Sequence, residues 1–227
     1  MTADVLSALF AELGRLAHLD RIDSELRRRG YTRVAGVDEA GRGPLAGPVV
    51  AAAVILRAGC VLPGLDDSKK VEPEVRVRLD REIRIRAVAV GVGVIEAAQI
   101  DSDDILRASL AAMRQAVLSL DPTAEALVVD AVRVPGVRLP QVPVIGGDGL
   151  SACVAAASIV AKTHRDRLCE ALARRYPAYG FERHKGYGTP EHWEALRRFG
   201  PCPEHRLSYR GVVPDREGKL KAPVDPG

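Results

Sequence analysis

The chain has 227 residues and a formal net charge of +3, and 47% of its residues are hydrophobic while 28% are charged. This balance is typical of a soluble globular protein with a buried core, in one large domain or one domain with an appendage. No apolar run approaches the ~20 residues that a membrane-spanning helix needs. The N-terminus also lacks a basic segment followed by an apolar signal core. We therefore expect a cytoplasmic protein that does not enter membranes.

The predicted elements begin with an amphipathic helix over residues 3–29, whose leucines recur at helical spacing and which ends at Gly30. Its apolar stripe is either core or docking surface. The next elements alternate short apolar runs with polar or helical segments. They are strands over 33–38 and 47–56, a polar loop over 66–70, a helix over 72–84 and a strand over 87–95.

The second half of the chain alternates strands with helices, which indicates a mixed sheet with helices packed on it. Ser151 and Thr189 are predicted to cap the two helices nearest the C-terminus. In order, the predicted elements are a helix from 101–104 to 120, strands over 126–130 and 142–145, a helix from Ser151 to about 175, a short helix from Thr189, and a polar tail from about 210.

The four cysteines suggest packing and not chemistry. They form no CxxC pair and no metal-ligand spacing, so we expect reduced thiols in the core. Two basic clusters, at 27–33 and 183–185, are either solvated charge or contacts to a polyanion.

Two acidic residues, Asp38 and Glu39, run directly into the glycine-rich turn that begins at Gly41. Carboxylates bind hard divalent cations, and glycines allow a phosphate to approach the backbone. Adjacent strand residues point to opposite faces, so a site shared by both acids predicts that the strand ends between them. The arrangement indicates chemistry on a phosphodiester.

Two further acids follow predicted strands. Asp130 ends the apolar run 127–129, where a carboxylate near the core needs a partner such as a cation. Asp148 precedes Gly149 and is equally explained as a turn residue. If these acids gather at one point, a pair of divalent ions about 4 Å apart would neutralise them and clamp a phosphate.

The glycine-rich turn does not match the common nucleotide-binding loops. Its third glycine comes one residue too late for GxGxxG, and a predicted strand follows where a dinucleotide-binding loop requires a helix. No Gly-Lys-Ser/Thr of a P-loop follows either. A simple hairpin-like turn remains the alternative.

Residues 37–48, VDEAGRGPLAGP, resemble the opening signature of ribonuclease HII, the bacterial type 2 ribonuclease H. The resemblance covers roughly residues 34–210. The further blocks that agree in order are DSKK at 67–70, LVVD at 127–130, GD at 147–148, AASIVAK at 156–162 with RD at 165–166, YGF at 179–181, HKGYGT at 184–189, and HR at 205–206 with Ser208.

The resemblance implies an α/β ribonuclease H-like fold, with a five-stranded mixed sheet flanked by helices and a helical C-terminal part. It divides the chain into an N-terminal helical extension over 1–33, a catalytic domain over 34–210 and a flexible tail over 211–227. The implied activity is cleavage of the RNA strand of RNA–DNA hybrids and nicking 5′ of single ribonucleotides in duplex DNA. The implied mechanism is two-metal-ion hydrolysis that leaves 3′-hydroxyl and 5′-phosphate ends.

Site residues carry over where this sequence matches the family's motifs. The metal ligands map onto Asp38, Glu39 and Asp130, with Asp148 as the fourth catalytic acid and Mn²⁺ or Mg²⁺ as the cofactor. Ala131 departs from the glycine that usually follows the third acid. The resemblance implies that Tyr187 packs on the sugar after the scissile phosphate. The alternative is that Tyr187 is a tyrosine of the protein core. The implied substrate-binding residues are Gly41, Arg42, Gly43, Lys69, Lys185 and Tyr187.

Three rival interpretations remain beside a monomeric ribonuclease HII. A type 3 ribonuclease H shares the fold and reaction but has an N-terminal substrate-binding domain, for which residues 1–33 are too short. A non-catalytic hybrid-binding protein would not need all four acids. A small-molecule phosphotransferase is disfavoured because the nucleotide loops are missing.

Overall fold

A five-stranded mixed sheet lies at the centre of the computed structural model, which describes residues 3–213. The spatial order is β3-β2-β1-β4-β5, with antiparallel pairing among the first three strands and parallel pairing of β1 with β4 and of β4 with β5. The predicted five-stranded mixed sheet is confirmed. The strands are β1 (Val34–Ala40), β2 (Val49–Leu56), β3 (Ala87–Ile95), β4 (Ala126–Asp130) and β5 (Gln141–Val144).

Eight helices surround this sheet in the described part of the chain. Both predicted caps are confirmed, since Ser151 Oγ accepts the Val154 N–H (3.1 Å) and Thr189 Oγ1 accepts the His192 N–H (3.3 Å). The helices are α1 (Ala3–Leu19), α2 (Arg21–Arg28), α3 (Pro73–Arg86), α4 (Ala97–Asp103), α5 (Ile105–Leu118), α6 (Ala152–Arg175), α7 (Phe181–His184) and α8 (Pro190–Phe199). None of them is both long and apolar enough to cross a membrane.

Strand β2 is buried along its whole length because helices cover both faces of the sheet. Ala51 and Ala53 contribute to the core shared with α5, while Ala52 and Val54 contribute to the core shared with α3 and α6. Helix α6 approaches β1 so closely at Gly36 that a Cβ there would lie 2.0 Å from a backbone atom of Cys153. This contact places α6 directly behind the strand that carries Asp38.

The N-terminal helical segment differs from the prediction because it breaks at Asp20 into α1 and α2. The Asp20 carboxylate accepts hydrogen bonds from Ser24 and Arg27 of α2. The predicted end at Gly30 is confirmed: φ is +97°, and the Gly30 and Tyr31 N–H groups bond back to Arg27 and Leu26, the pattern of a Schellman cap. The helix predicted to start at 101–104 also differs in the structure. A separate helix, α4, ends at Asp103, and Asp104 caps the start of α5.

The C-terminal part packs against the glycine-rich turn. Val212 falls within the predicted tail, yet it is fully buried in a cluster with Leu45, Trp193 and Leu196. Packing therefore continues at least to Val212. The rest of the predicted tail, 214–227, lies outside the described residues.

Candidate active site

A cleft of about 350 Å³ opens at the carboxyl end of β1 and β4. It brings together all four of the predicted acids and most of the predicted substrate-binding residues. Those lining the cleft are Asp38, Glu39, Asp130, Asp148, Gly41, Arg42, Gly43, Lys69 and Tyr187. Residues separated by up to 149 positions in the chain thus share one concave surface.

Asp38 and Glu39 both line the cleft, but the predicted reason for this is wrong. Strand β1 does not end between them; it continues to Ala40. Its pairing with β4 stops at Val37, so the last three residues of β1 have no neighbouring strand on that side. The open edge lets both carboxylates reach the cleft, with Asp38 the more deeply buried.

Asp130 and Asp148 are connected through the backbone. Asp130 ends β4, and its Oδ1 accepts the Gly147 N–H at 3.0 Å. Gly147 begins the 3₁₀ turn that carries Asp148. Ala131 follows with φ of +53°, a conformation that glycine adopts with less strain. A glycine at this position would relieve that strain.

Carboxyl groups crowd the cleft, which makes it unfavourable to ionise all of them. Burial raises the pKa of Asp38 to about 8, and the charges of Glu39 and Asp130 add to the effect. Burial likewise raises the pKa of Glu39, which Arg42 opposes from 3.5 Å. Burial and the neighbouring Asp67 raise the pKa of Asp148. Such shifts are common where carboxylates are assembled for a function.

The carboxylates suit a divalent cation in their chemistry. Hard oxygen donors prefer Mg²⁺ or Mn²⁺, and the charge of such an ion would offset the cost of ionising buried acids. Within residues 3–213, no three His, Cys, Asp or Glu side chains already surround a point closely enough to hold a metal ion. Binding would therefore require carboxylates of the cleft to converge on the ion.

Two buried arginines hold the glycine-rich turn from behind. Both lie in sequence blocks that carry the resemblance, but no role in the site was predicted for either of them. Arg206 donates to the carbonyls of Gly41 (2.6 Å), Arg42 (2.9 Å) and Gly47 (3.0 Å). Arg165 Nε donates to the Pro48 carbonyl at 3.1 Å and lies where a side chain on Gly41 would have to go. The turn is therefore set in one conformation before any ligand binds.

Three polar residues of α6 face the cleft region at helical spacing. Ser158 and Lys162 line the cleft, and Arg165 follows one turn later. Ser158 also bonds Ser68, another lining residue. Their helical spacing, beginning with the one polar residue in the apolar run 152–161, was the signal that could have identified them.

Tyr187 lines the cleft, whereas Lys185 lies outside it. Tyr187 is 44% exposed, with Lys162 Nζ 5.8 Å from the centroid of its ring. It is therefore not the buried core tyrosine of the alternative interpretation. Lys185 does not line the cleft; it lies in the adjoining groove, where it bonds Glu170 at 3.0 Å.

Comparison with known proteins adds an independent line of evidence. The family model described as Ribonuclease HII matches residues 35–212. The ribonuclease HII of Geobacillus kaustophilus is 56% identical over 198 residues, which are 87% of this chain and 76% of the relative. That of Pelotomaculum thermopropionicum is 54% identical over 204 residues, covering 89% and 77%.

Solved structures agree with this match. Ribonuclease H2 from Pyrococcus horikoshii aligns with a TM-score of 0.65 and 27% identity, over 78% of this chain and 93% of that one. Ribonuclease HII of Archaeoglobus fulgidus, solved with PCNA, gives 0.64 and 28%, over 78% and 95%. A ribonuclease HIII in complex with Mn²⁺ gives 0.60 at 20% identity, over 81% and 68%, which shows the fold alone. The chain therefore belongs to the ribonuclease HII family, whose members are metal-dependent endonucleases that cleave the RNA strand of RNA–DNA hybrids.

Proposed function

We propose that this ribonuclease also nicks duplex DNA on the 5′ side of a single embedded ribonucleotide, leaving 3′-hydroxyl and 5′-phosphate ends. The observation that carries the proposal is the meeting of four acids, the Gly-Arg-Gly turn and Tyr187 in one cleft. The acids provide for hydrolysis, while the turn and the ring offer a surface for one sugar and its phosphate. In this proposal the cleft recognises one nucleotide and does not require a long hybrid.

In this proposal Asp38, Glu39 and Asp130 hold Mn²⁺ or Mg²⁺, and Asp148 completes the set of catalytic acids. The bound ions would activate the attacking water and stabilise the leaving 3′ oxygen. Burial against α6 restricts Asp38, and the Glu39 N–H donates to its Oδ1 at 2.7 Å, which orients the carboxylate.

The Gly-Arg-Gly turn would distinguish RNA from DNA. Arg206 and Arg165 hold its backbone through the carbonyls of Gly41, Arg42 and Pro48, so the turn would present a fixed backbone to a 2′-hydroxyl. Tyr187 would pack on the neighbouring sugar. Lys69 and, further along the groove, Lys185 would contact backbone phosphates, which makes their contribution salt-dependent.

All four acids come from one chain, which supports a monomer as the active form. The match over 35–212 supports a catalytic domain over about 34–210 with a helical extension ahead of it. The four cysteines are unpaired, which supports a reducing compartment such as the cytoplasm.

The test is to incubate the protein, with and without Mn²⁺ or Mg²⁺, with a DNA duplex that carries one ribonucleotide. An all-DNA duplex of the same sequence is the control. Metal-dependent nicking 5′ of the ribonucleotide is expected. Cleavage of long RNA–DNA hybrids alone would contradict the single-ribonucleotide activity, and no cleavage of either would favour a non-catalytic binder.

A further inference from the structure

A chain of hydrogen bonds through two buried histidines ends at the backbone of Tyr187. His192 and His205 are 0% and 1% exposed, and their Nε2 atoms lie 3.0 Å apart. His192 Nδ1 lies 2.9 Å from the Tyr187 carbonyl oxygen. Neither histidine lines the cleft, and the proposed chemistry uses neither of them.

The partners determine where each proton sits. His205 Nδ1 accepts the Cys202 backbone N–H at 2.9 Å, so the His205 proton is on Nε2. His205 Nε2 therefore donates to His192 Nε2, and the His192 proton must be on Nδ1. From there it donates to the Tyr187 carbonyl, whose C=O has no proton to give. All four ring nitrogens of His192 and His205 thus have a hydrogen-bond partner while both rings are neutral.

The residue that follows His205 holds the opposite wall of the cleft, which is the glycine-rich turn. Arg206, next to His205, binds the Gly41 and Arg42 carbonyls. Tyr187 faces this turn, since a Cβ on Gly43 would meet its ring at 3.9 Å. His205 and Arg206 thus connect the two surfaces between which one sugar would fit.

We propose that His192 is a positioning residue: its hydrogen bond to the Tyr187 carbonyl sets the distance between Tyr187 and the Gly-Arg-Gly turn, and so the recognition of a ribonucleotide in the cleft. This inference rests on the proposed role of Tyr187. His192 acts through the Tyr187 backbone and touches no substrate.

The test compares His192→Leu with His192→Asn and uses Tyr179→Phe as the matched control. Asn places a donor near the Nδ1 position and keeps the bond to Tyr187, while Leu removes it. Tyr179→Phe removes a part-buried hydrogen bond nearby, from the Tyr179 hydroxyl to the Gly200 carbonyl (2.8 Å), and keeps the ring that packs against His205. The substrate is a DNA duplex with one ribonucleotide, in Mn²⁺.

We expect kcat/KM to fall about tenfold in His192→Leu, to recover to within about threefold of wild type in His192→Asn, and to change less than about twofold in Tyr179→Phe. In a Tyr187→Ala background, His192→Leu should add less than about twofold, because its effect passes through Tyr187. If His192→Leu does not fold, His192→Gln replaces it: Gln reaches His205 but not the Tyr187 carbonyl, so it should be impaired where Asn is not.

The outcomes separate the two proposals. Equal losses in the Asn variant and the Leu (or Gln) variant, or an undiminished loss in the Tyr187→Ala background, would overturn the positioning role alone. Wild-type activity in Tyr187→Ala would overturn the role of Tyr187 and the inference with it.

Discussion

Asp23 in helix α2 accepts a hydrogen bond from Ser151 Oγ at 2.6 Å, although the two residues are 128 positions apart. The other Asp23 oxygen accepts the Cys153 backbone N–H at 3.0 Å. Asp23 is fully buried, so the N-terminal segment caps the helix that lies behind the acidic cleft. The helical extension thereby stabilises the start of α6, the helix that packs behind the cleft.

Substituting Asp23 should therefore weaken the fold. Asp23→Ala leaves two donors at the start of α6 without their acceptor, and we expect a loss of about 1–3 kcal/mol in the free energy of unfolding. Urea denaturation measures it. Asp103→Ala, at an exposed position of α4, is the control and should change stability by less than about 0.5 kcal/mol. Equal effects in both variants would contradict the capping role.

Asp38→Asn should abolish cleavage and yet stabilise the metal-free protein. Losing a metal ligand should lower kcat by about 10³-fold or more. The pKa of Asp38 in the folded state, about 8, lies above its unfolded value, so the ionised group costs stability increasingly as pH rises from about 4 to 8.

The uncharged Asn removes that cost, and we expect a gain of about 1–3 kcal/mol at pH 7.5 that shrinks towards pH 5. Thermal unfolding in a chelator measures it. Added Mn²⁺ should raise Tm in wild type more than in the variant. A variant that is less stable than wild type at both pH values would refute the electrostatic argument.

The two glycines of the turn should respond differently to alanine. Gly41 has φ of +99°, and a Cβ there would lie 2.1 Å from Arg165 Nε, so Gly41→Ala should lose both stability and cleavage. Gly43 has room, with its nearest contact at 3.9 Å. Gly43→Ala should keep its Tm within about 2 °C of wild type while cleavage falls, because the added methyl group faces the substrate. A large drop in Tm for Gly43→Ala would show that its role is in folding.

Tyr187 should act through its ring and not its hydroxyl. Tyr187→Phe should stay within about threefold of wild type, whereas Tyr187→Ala should lose about tenfold or more, since aromatic packing contributes about 1–3 kcal/mol. Single-turnover cleavage of the one-ribonucleotide duplex compares them. Indistinguishable rates for Phe and Ala would argue against packing on the sugar.

The buried histidines should make the fold sensitive to acid. Burial lowers the pKa of both His192 and His205 to about 4, while the unfolded chain titrates near 6.5. Between these values the unfolded state binds more protons, so this contribution to stability is lost as pH falls from 6.5.

The expected loss is up to about 2 kcal/mol per imidazole between pH 6.5 and 5. Asp38 has the opposite sign, so the measurement compares urea unfolding of wild type with that of His192→Asn across this range. A pH dependence that is the same in both proteins would contradict the assignment.

Local chemistry explains the elements that the sequence analysis identified correctly. Ser151 and Thr189 cap helices because their side chains reach N–H groups three residues on, and Gly30 ends α2 because it adopts positive φ. Each of these signals lies within a few residues of the feature that it predicts. The glycine-rich turn and its two acids are equally local, which is why they alone indicated phosphodiester chemistry.

The errors concern features that depend on distant partners. The end of β1 was predicted in the wrong place. The β1 edge beyond Val37 is open because the pairing with β4 stops there, and no residue of β1 itself signals this. Lys185 lies in the groove adjoining the cleft, where it pairs with Glu170; the sequence did not predict which part of the surface it would occupy.

The order of residue types along the chain was enough to determine the acids, the turn and the family resemblance, because these are patterns of adjacent residues. Only the tertiary structure decided how the turn is held. The Arg206 guanidinium reaches the Gly41 carbonyl across 165 positions, and no local pattern predicts which carbonyl a buried cation will find. The carbonyls that Arg206 binds are determined by how α6, α8 and the segment that carries Arg206 pack around the turn. A buried guanidinium must satisfy its donors with whichever acceptors the fold brings near it.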